Sequence, residues 1–146
     1  MFLNELNSQE AEAFINLVKD MAAMDEIFAK EEESLIEDYI DELLLKGKEI
    51  KRTSLKETKE SLKLSFDRIK KIIYFELTGL ALADGEFESK EENFLKDMAH
   101  EFNISASKVR GFLDYFKNVK SIYDFTTVDY ESKISLLKEE AEALLQ

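Results

Sequence analysis

The chain has 146 residues, 45% of them apolar, with no proline, tryptophan or cysteine and only four glycines. That length supports one domain with a real core, and few breakers beside many Glu, Lys, Leu and Ala residues point to an all-helical protein. The lack of cysteine excludes disulfides, iron–sulfur clusters, thiolate zinc sites and cysteine nucleophiles, and a formal charge of −12 disfavours nucleic acid as the main partner.

The charge is unevenly spread. Residues 1–46 carry 3 basic and 13 acidic side chains, residues 47–72 carry 9 and 4, and residues 73–146 carry 8 and 15. A basic band of net +5 therefore lies between stretches of −10 and −7. Lys56, Lys59 and Lys63 in that band form a candidate interaction surface, suited to an acidic protein partner or to an anionic membrane surface. A solvated helix face with Lys and Glu interspersed reads the same way. The N-terminal segment lacks the basic start and apolar run of a signal peptide. No uncharged run approaches the ~20 residues that span a bilayer, so the expectation is a soluble, cytoplasmic protein.

In chain order, Asn7 and Glu10 have capping-box spacing and open a first helix carrying Phe14, Ile15, Val18, Met21 and Ala22. A short acidic link at Asp25–Phe28 leads to a second helix with its stripe on Leu35, Ile36, Tyr39, Ile40, Leu43 and Leu44, stopped at Lys46-Gly47-Lys48. Ser54 and Glu57 open the next helical stretch. Thirty residues to Ala83 exceed an ordinary globular helix, so a break is placed near Leu62–Ser65. Beyond it, Phe66, Ile69, Ile72, Ile73, Leu77, Leu80 and Ala81 form a face broad enough for a central helix. Gly79 inside that helix costs ~1 kcal/mol relative to Ala, which the close approach of a neighbour would offset. Phe94, Leu95, Met98, Ala99 and Phe102 mark a further helix. Asn103 stops it, and Ser105 or Ser107 caps another through Val109, Phe112, Leu113 and Phe116. Ser121–Val128 is the most irregular stretch, and an amphipathic helix over residues 129–145 ends the chain.

A shift of 59 residues aligns Ala22–Leu43 with Ala81–Phe102 without a gap, with seven identical pairs that include Asp25/Asp84, Phe28/Phe87 and Glu32/Glu91. The apolar phase agrees as well, as in Leu35/Phe94 and Ile36/Leu95. The reading is about seven helices in a single domain built from two related helix–turn–helix units, near residues 8–64 and 65–118.

The stretch from Asp84 to Glu91 supplies an Asp, a Gly, an apolar residue and a final Glu at EF-hand spacing. The two earlier ligand positions would be Leu80 and Leu82, which cannot bind calcium, so an EF-hand is rejected. Asp84, Glu86, Glu88 and Glu91 remain candidates to hold Ca²⁺ or Mg²⁺ in another geometry, with Asp25 and Glu32 as a weaker counterpart. Each residue also has an ordinary local role. Gly85 suits a helix C-terminus, Ser89 and Glu92 form a capping box, Glu91 complements the helix dipole, and Phe87 plugs the core.

The pattern A-x-A-D-G-x-F-x-x-x-E-x-x-F-L over Ala81–Leu95 resembles the signature of the TerB-like (tellurite-resistance) family. Asp84, Gly85, Phe87 and Glu91 match it, as do Asp25, Phe28 and Glu32 in the first copy, where Glu26 replaces the motif glycine. The resemblance implies an all-helical fold of repeated units with segregated charged surfaces. It also implies a role in tellurite or stress response, with metal binding proposed at the acidic turns. An enzyme is hard to build here. The single histidine, His100, stands between Ala99 and Glu101, and no G-x-S-x-G, P-loop or H-E-x-x-H is present. Glu76 lies on the broad apolar face and calls for a partner, such as Lys70, Lys71 or a cation, or else a shifted pKa.

Overall fold

The computed structural model describes residues 2–24, 29–45, 47–82, 89–124 and 130–146, with side chains described outside 29–35, 120–124 and 130–133. Regular structure among these residues is entirely helical. A 3₁₀ turn at Leu3–Glu5 precedes α1 (Ser8–Ala22), α2 (Ala29–Glu42), α3 (Leu55–Leu62), α4 (Asp67–Ala81), α5 (Ser89–Glu101), α6 (Ala106–Asp124) and α7 (Tyr130–Leu145).

Local chemistry sets most of the ends. Asn7 Oδ1 accepts the Glu10 N–H at 2.8 Å, and Glu10 Oε1 accepts the Asn7 N–H at 3.0 Å, closing a capping box on α1. Ser54 Oγ accepts the Glu57 N–H at the start of α3, and Ser105 Oγ accepts the Lys108 N–H at the start of α6. The stretch from Ser54 holds two helices, interrupted at Lys63–Phe66. Three boundaries depart from the expected ones. α2 ends at Glu42, short of the glycine, because Leu44 takes a left-handed φ of 58° and swings into solvent at 81% exposure. Phe66 precedes the first residue of α4 on extended backbone, so its ring leaves the apolar face on which the periodicity placed it. α6 continues through Ser121 to Asp124, into the stretch expected to be irregular.

Two helices organise the packing. α1 lies against α2 and α3, while α4 lies against α5, α6, α7 and the 3₁₀ turn, and α6 also packs on α7. Phe14, Ile15, Leu17 and Val18 of α1 and Ile72, Ile73 and Leu77 of α4 are fully enclosed in one continuous core. The Phe75 ring is an aromatic hub, with centroids of Phe116, Tyr115, Phe112 and Phe2 at 4.9, 5.1, 6.0 and 6.3 Å. A Cβ on Gly79 would stand 2.7 Å from the Phe116 ring, so the missing side chain lets α6 approach.

The 59-residue offset recurs in the helix boundaries. It carries Ser8–Ala22 onto Asp67–Ala81 and brings the end of α2 onto the end of α5. It also carries the C-terminal cap. Leu44 and Asn103 adopt φ of 58° and 55°, and the N–H groups of Leu45 and Ile104 both donate back to Ile40 and Ala99 carbonyls at 2.9 Å. Buried positions correspond along the central helices, as in Phe14 with Ile73, Val18 with Leu77 and Met21 with Leu80.

Asn16 stands where the offset puts Phe75, and it ties α1 to the segment entering α3. Its Nδ2 donates to the Lys51 and Glu12 carbonyls at 3.0 Å. Its Oδ1 accepts from Arg52 at 2.8 Å and from the Thr53 N–H at 3.2 Å. Arg52 also pairs with Asp20. Asn16→Ala breaks several hydrogen bonds to partly exposed partners at once and is expected to cost about 2 kcal/mol. Denaturant unfolding checks this, and a loss below about 1 kcal/mol would show the network to be dispensable.

Candidate functional site

Most of the acidic turn singled out by the motif, Asp84, Glu86 and Glu88, lies outside the described residues, as does Asp25 of the weaker copy. Glu32 belongs to α2, in the part whose side chains are not described. Glu91 is placed in the first turn of α5 and turned inward, 8% exposed. A carboxylate there faces the unpaired N–H groups of the helix start. α5 begins at Ser89, which puts that serine one position inside the expected cap. Among the described residues, no three His, Asp or Glu side chains gather closely enough to hold a metal ion.

Lys56 and Lys59 of α3 and Lys63 at its C-cap follow a three- and four-residue spacing that puts them on one face. Their states differ. Lys59 pairs with Asp97 of α5. Lys63 meets Glu60 at 3.2 Å with both side chains in water, a contact worth little in itself. Lys56 is exposed. Two arginines of the same band also turn to carboxylates outside it. Arg52 takes Asp20, and Arg68 bridges Glu5 and Glu142, at 2.8 Å to each, while lying 5.8 Å from the Phe2 ring centroid. Arg68 holds the Glu5 carboxyl below its ordinary range. Part of the basic band thus fastens the N-terminal turn, α1, α5 and α7 to the middle of the chain. Residue spacing alone does not show this, because the partners lie 32 to 74 positions away.

Glu76 is mostly enclosed, and burial raises its pKa against an opposing pull from the N-terminal amino group, with a smaller push from the Glu42 carboxylate. Tyr39 is affected by the same group. Burial raises its phenol, and Glu76 and Glu42 add to the shift. The two lysines that sequence offered as partners for Glu76 are engaged elsewhere, Lys70 with the Lys63 carbonyl at 3.0 Å and Lys71 with the Gln146 carbonyl at 3.1 Å.

On the other side of α4, a cleft of about 130 Å³ is lined by Tyr74, Leu95, Val109 and Leu113, with Glu92 and Lys96 beside them. It is smaller than the ~300 Å³ at which small-molecule pockets begin, and its size suits one inserted side chain. Two large, strongly exposed apolar residues stand elsewhere, at the corner between α3 and α4. Leu64 is 98% exposed and Phe66 is 82% exposed. The sequence signal for this feature was the helix break, whose consequence for Phe66 depended on the position of the first helical residue.

No protein-family model, curated protein or solved structure matches the chain.

The Glu76 environment has a pH consequence. A carboxyl raised in the folded state binds its proton more tightly there than in the unfolded chain, so its contribution to stability falls as pH rises from near 4.5 through the raised value. Glu76→Gln, which cannot titrate, is expected to flatten this part of the stability profile. Thermal melting across pH checks it, and a profile that keeps its slope in the variant would contradict the assignment.

Proposed function

We propose that the chain is a non-enzymatic interaction module of the TerB-like, tellurite- and stress-response type, working in the cytoplasm. The recurrence of helix ends and C-terminal caps at a 59-residue offset supports the TerB-like architecture of paired helical units. The observation that carries the interaction reading is the α3–α4 corner. Phe66 occupies the N-cap of α4 without making a side-chain cap, at the position where the offset puts Asn7 and its capping box. Its ring is exposed as well. A Phe there forgoes about 1 kcal/mol of capping and leaves unused the ~1.5–3 kcal/mol that burying its ring would bring. A residue that serves neither the helix nor the core is suited to contact with something outside the chain.

This reading has a stability signature. Phe66→Asn restores a capping oxygen on backbone already extended at φ −60° and ψ 150°. It is expected to stabilise the fold by about 1 kcal/mol, raising Tm by roughly 3 °C. A lowered Tm would mean that Phe66 supports the fold, and the corner would lose its claim as a contact site.

A second reading, a divalent-cation-binding regulatory domain at Asp84, Glu86, Glu88 and Glu91, is favoured by the inward position of Glu91 beside that turn. Asp25 and Glu32 would form its weaker counterpart. In this reading millimolar Ca²⁺ or Mg²⁺ raises Tm and gives a calorimetric binding signal, and the paired substitution Asp84→Asn/Glu91→Gln removes both effects. An unchanged melt at millimolar cation, or an equal response in the variant, counts against it.

A further inference from the structure

We propose that the α3–α4 corner docks on an anionic lipid surface, with Leu64 and Phe66 entering the headgroup layer and the neighbouring lysines meeting lipid phosphates. The proposal rests on the interaction-module reading and names its partner.

The corner is held in shape before any partner arrives. The Lys63 N–H donates to the Glu60 carbonyl at 3.2 Å and the Ser65 N–H to the Leu62 carbonyl at 3.1 Å. From the first turn of α4, Lys70 Nζ reaches back to the Lys63 carbonyl at 3.0 Å. Leu62 anchors the base, fully buried, while two residues on, Leu64 is almost wholly in water. The two apolar side chains therefore stand exposed on a hydrogen-bonded tip between the helices. Such a tip fits a fluid, deformable surface, whereas a protein partner would have to supply a groove of matching shape.

Charge selects which surface. Once Arg52, Lys59 and Arg68 are set aside as fastened to Asp20, Asp97, Glu5 and Glu142, the band still has Lys48, Lys51, Lys56, Lys63, Lys70 and Lys71, interspersed with Glu49, Glu57, Glu60 and Asp67. Lys63 and Lys70 flank the apolar tip itself. The stretches on either side of the band carry −10 and −7 and are repelled by anionic lipid. The unfastened part of the band keeps two more lysines than carboxylates, with Lys63 and Lys70 standing beside Glu60 and Asp67 at the corner, so its attraction to an anionic surface is modest and is screened over about 8–10 Å. Apolar insertion and lysine attraction are both needed, as with other weak peripheral anchors that combine two signals.

The test is sedimentation of the intact chain with vesicles of phosphatidylcholine, with and without phosphatidylglycerol, at low and high salt. The wild-type chain is expected to sediment with the phosphatidylglycerol vesicles at low salt, to be released at high salt, and to ignore pure phosphatidylcholine. Phe66→Asn and Leu64→Ser should each weaken binding by roughly tenfold without lowering Tm, and Lys56→Glu/Lys63→Glu should weaken it at low salt. The proposal is overturned if the wild type stays in solution, if it binds both vesicle types alike, or if the two tip variants sediment like wild type. Should vesicles fail while Phe66→Asn alters self-association measured by sedimentation velocity, the corner docks on protein and only the lipid assignment falls. Should the tip variants change neither, the interaction reading falls with it.

Discussion

The fold depends on what each of the two central helices, α1 and α4, presents to the elements packed on it. In α4 it is Phe75, whose ring collects Phe112, Tyr115 and Phe116 from α6. In α1 the corresponding position is Asn16, which grips Lys51, Arg52 and Thr53 on the approach to α3 through hydrogen bonds. One geometric task is met by dispersion and apolar burial in one place and by a satisfied polar cluster in the other. The two solutions differ in tolerance. An aromatic cluster can relax around a smaller side chain, whereas removing a buried amide with several partners breaks several hydrogen bonds at once.

That difference explains the basic band. A polar joint at Asn16 recruits Arg52, which in turn takes Asp20. Arg68 performs a similar service at the start of α4, joining Glu5 of the N-terminal turn to Glu142 of α7. Cations that look like a uniform surface in the sequence are divided between fastening and display. Once the fastened ones are removed, the remaining lysines concentrate attention on the α3–α4 corner. There the chain gives up a helix cap and leaves a leucine and a phenylalanine in water. The absence of a cap at Phe66 is informative because Asn7 shows what the same backbone position does when stability alone is served.

Much of the architecture was legible because it rests on short-range rules. The expected number of about seven helices agrees with the seven among the described residues, and the Asn7/Glu10 spacing placed the start of the first helix. The break after Leu62 followed from length alone. Legibility failed where one residue's position relative to a helix end decides its direction. Phe66 fits the apolar spacing of α4 but lies just outside it, and Leu44 fits the stripe of α2 but takes the left-handed cap conformation. Phe75 and Tyr74 were missed as core residues because α4 is enclosed on more sides than a single stripe describes. The lysines could be located but not sorted, since whether Lys59 is free depends on Asp97, which only the packing of α3 near α5 brings close. Of the four carboxylates of the acidic turn, Glu91 lies among the described residues.

The chain contains no tryptophan, so Phe66→Trp places a single indole at the corner. Its emission in the presence of phosphatidylglycerol vesicles with brominated acyl chains reports directly on whether that position leaves water for lipid. Docking through the corner predicts a blue-shifted emission that the bromines quench. Emission that stays at its aqueous wavelength, unquenched, while the protein is bound to the vesicles would contradict it.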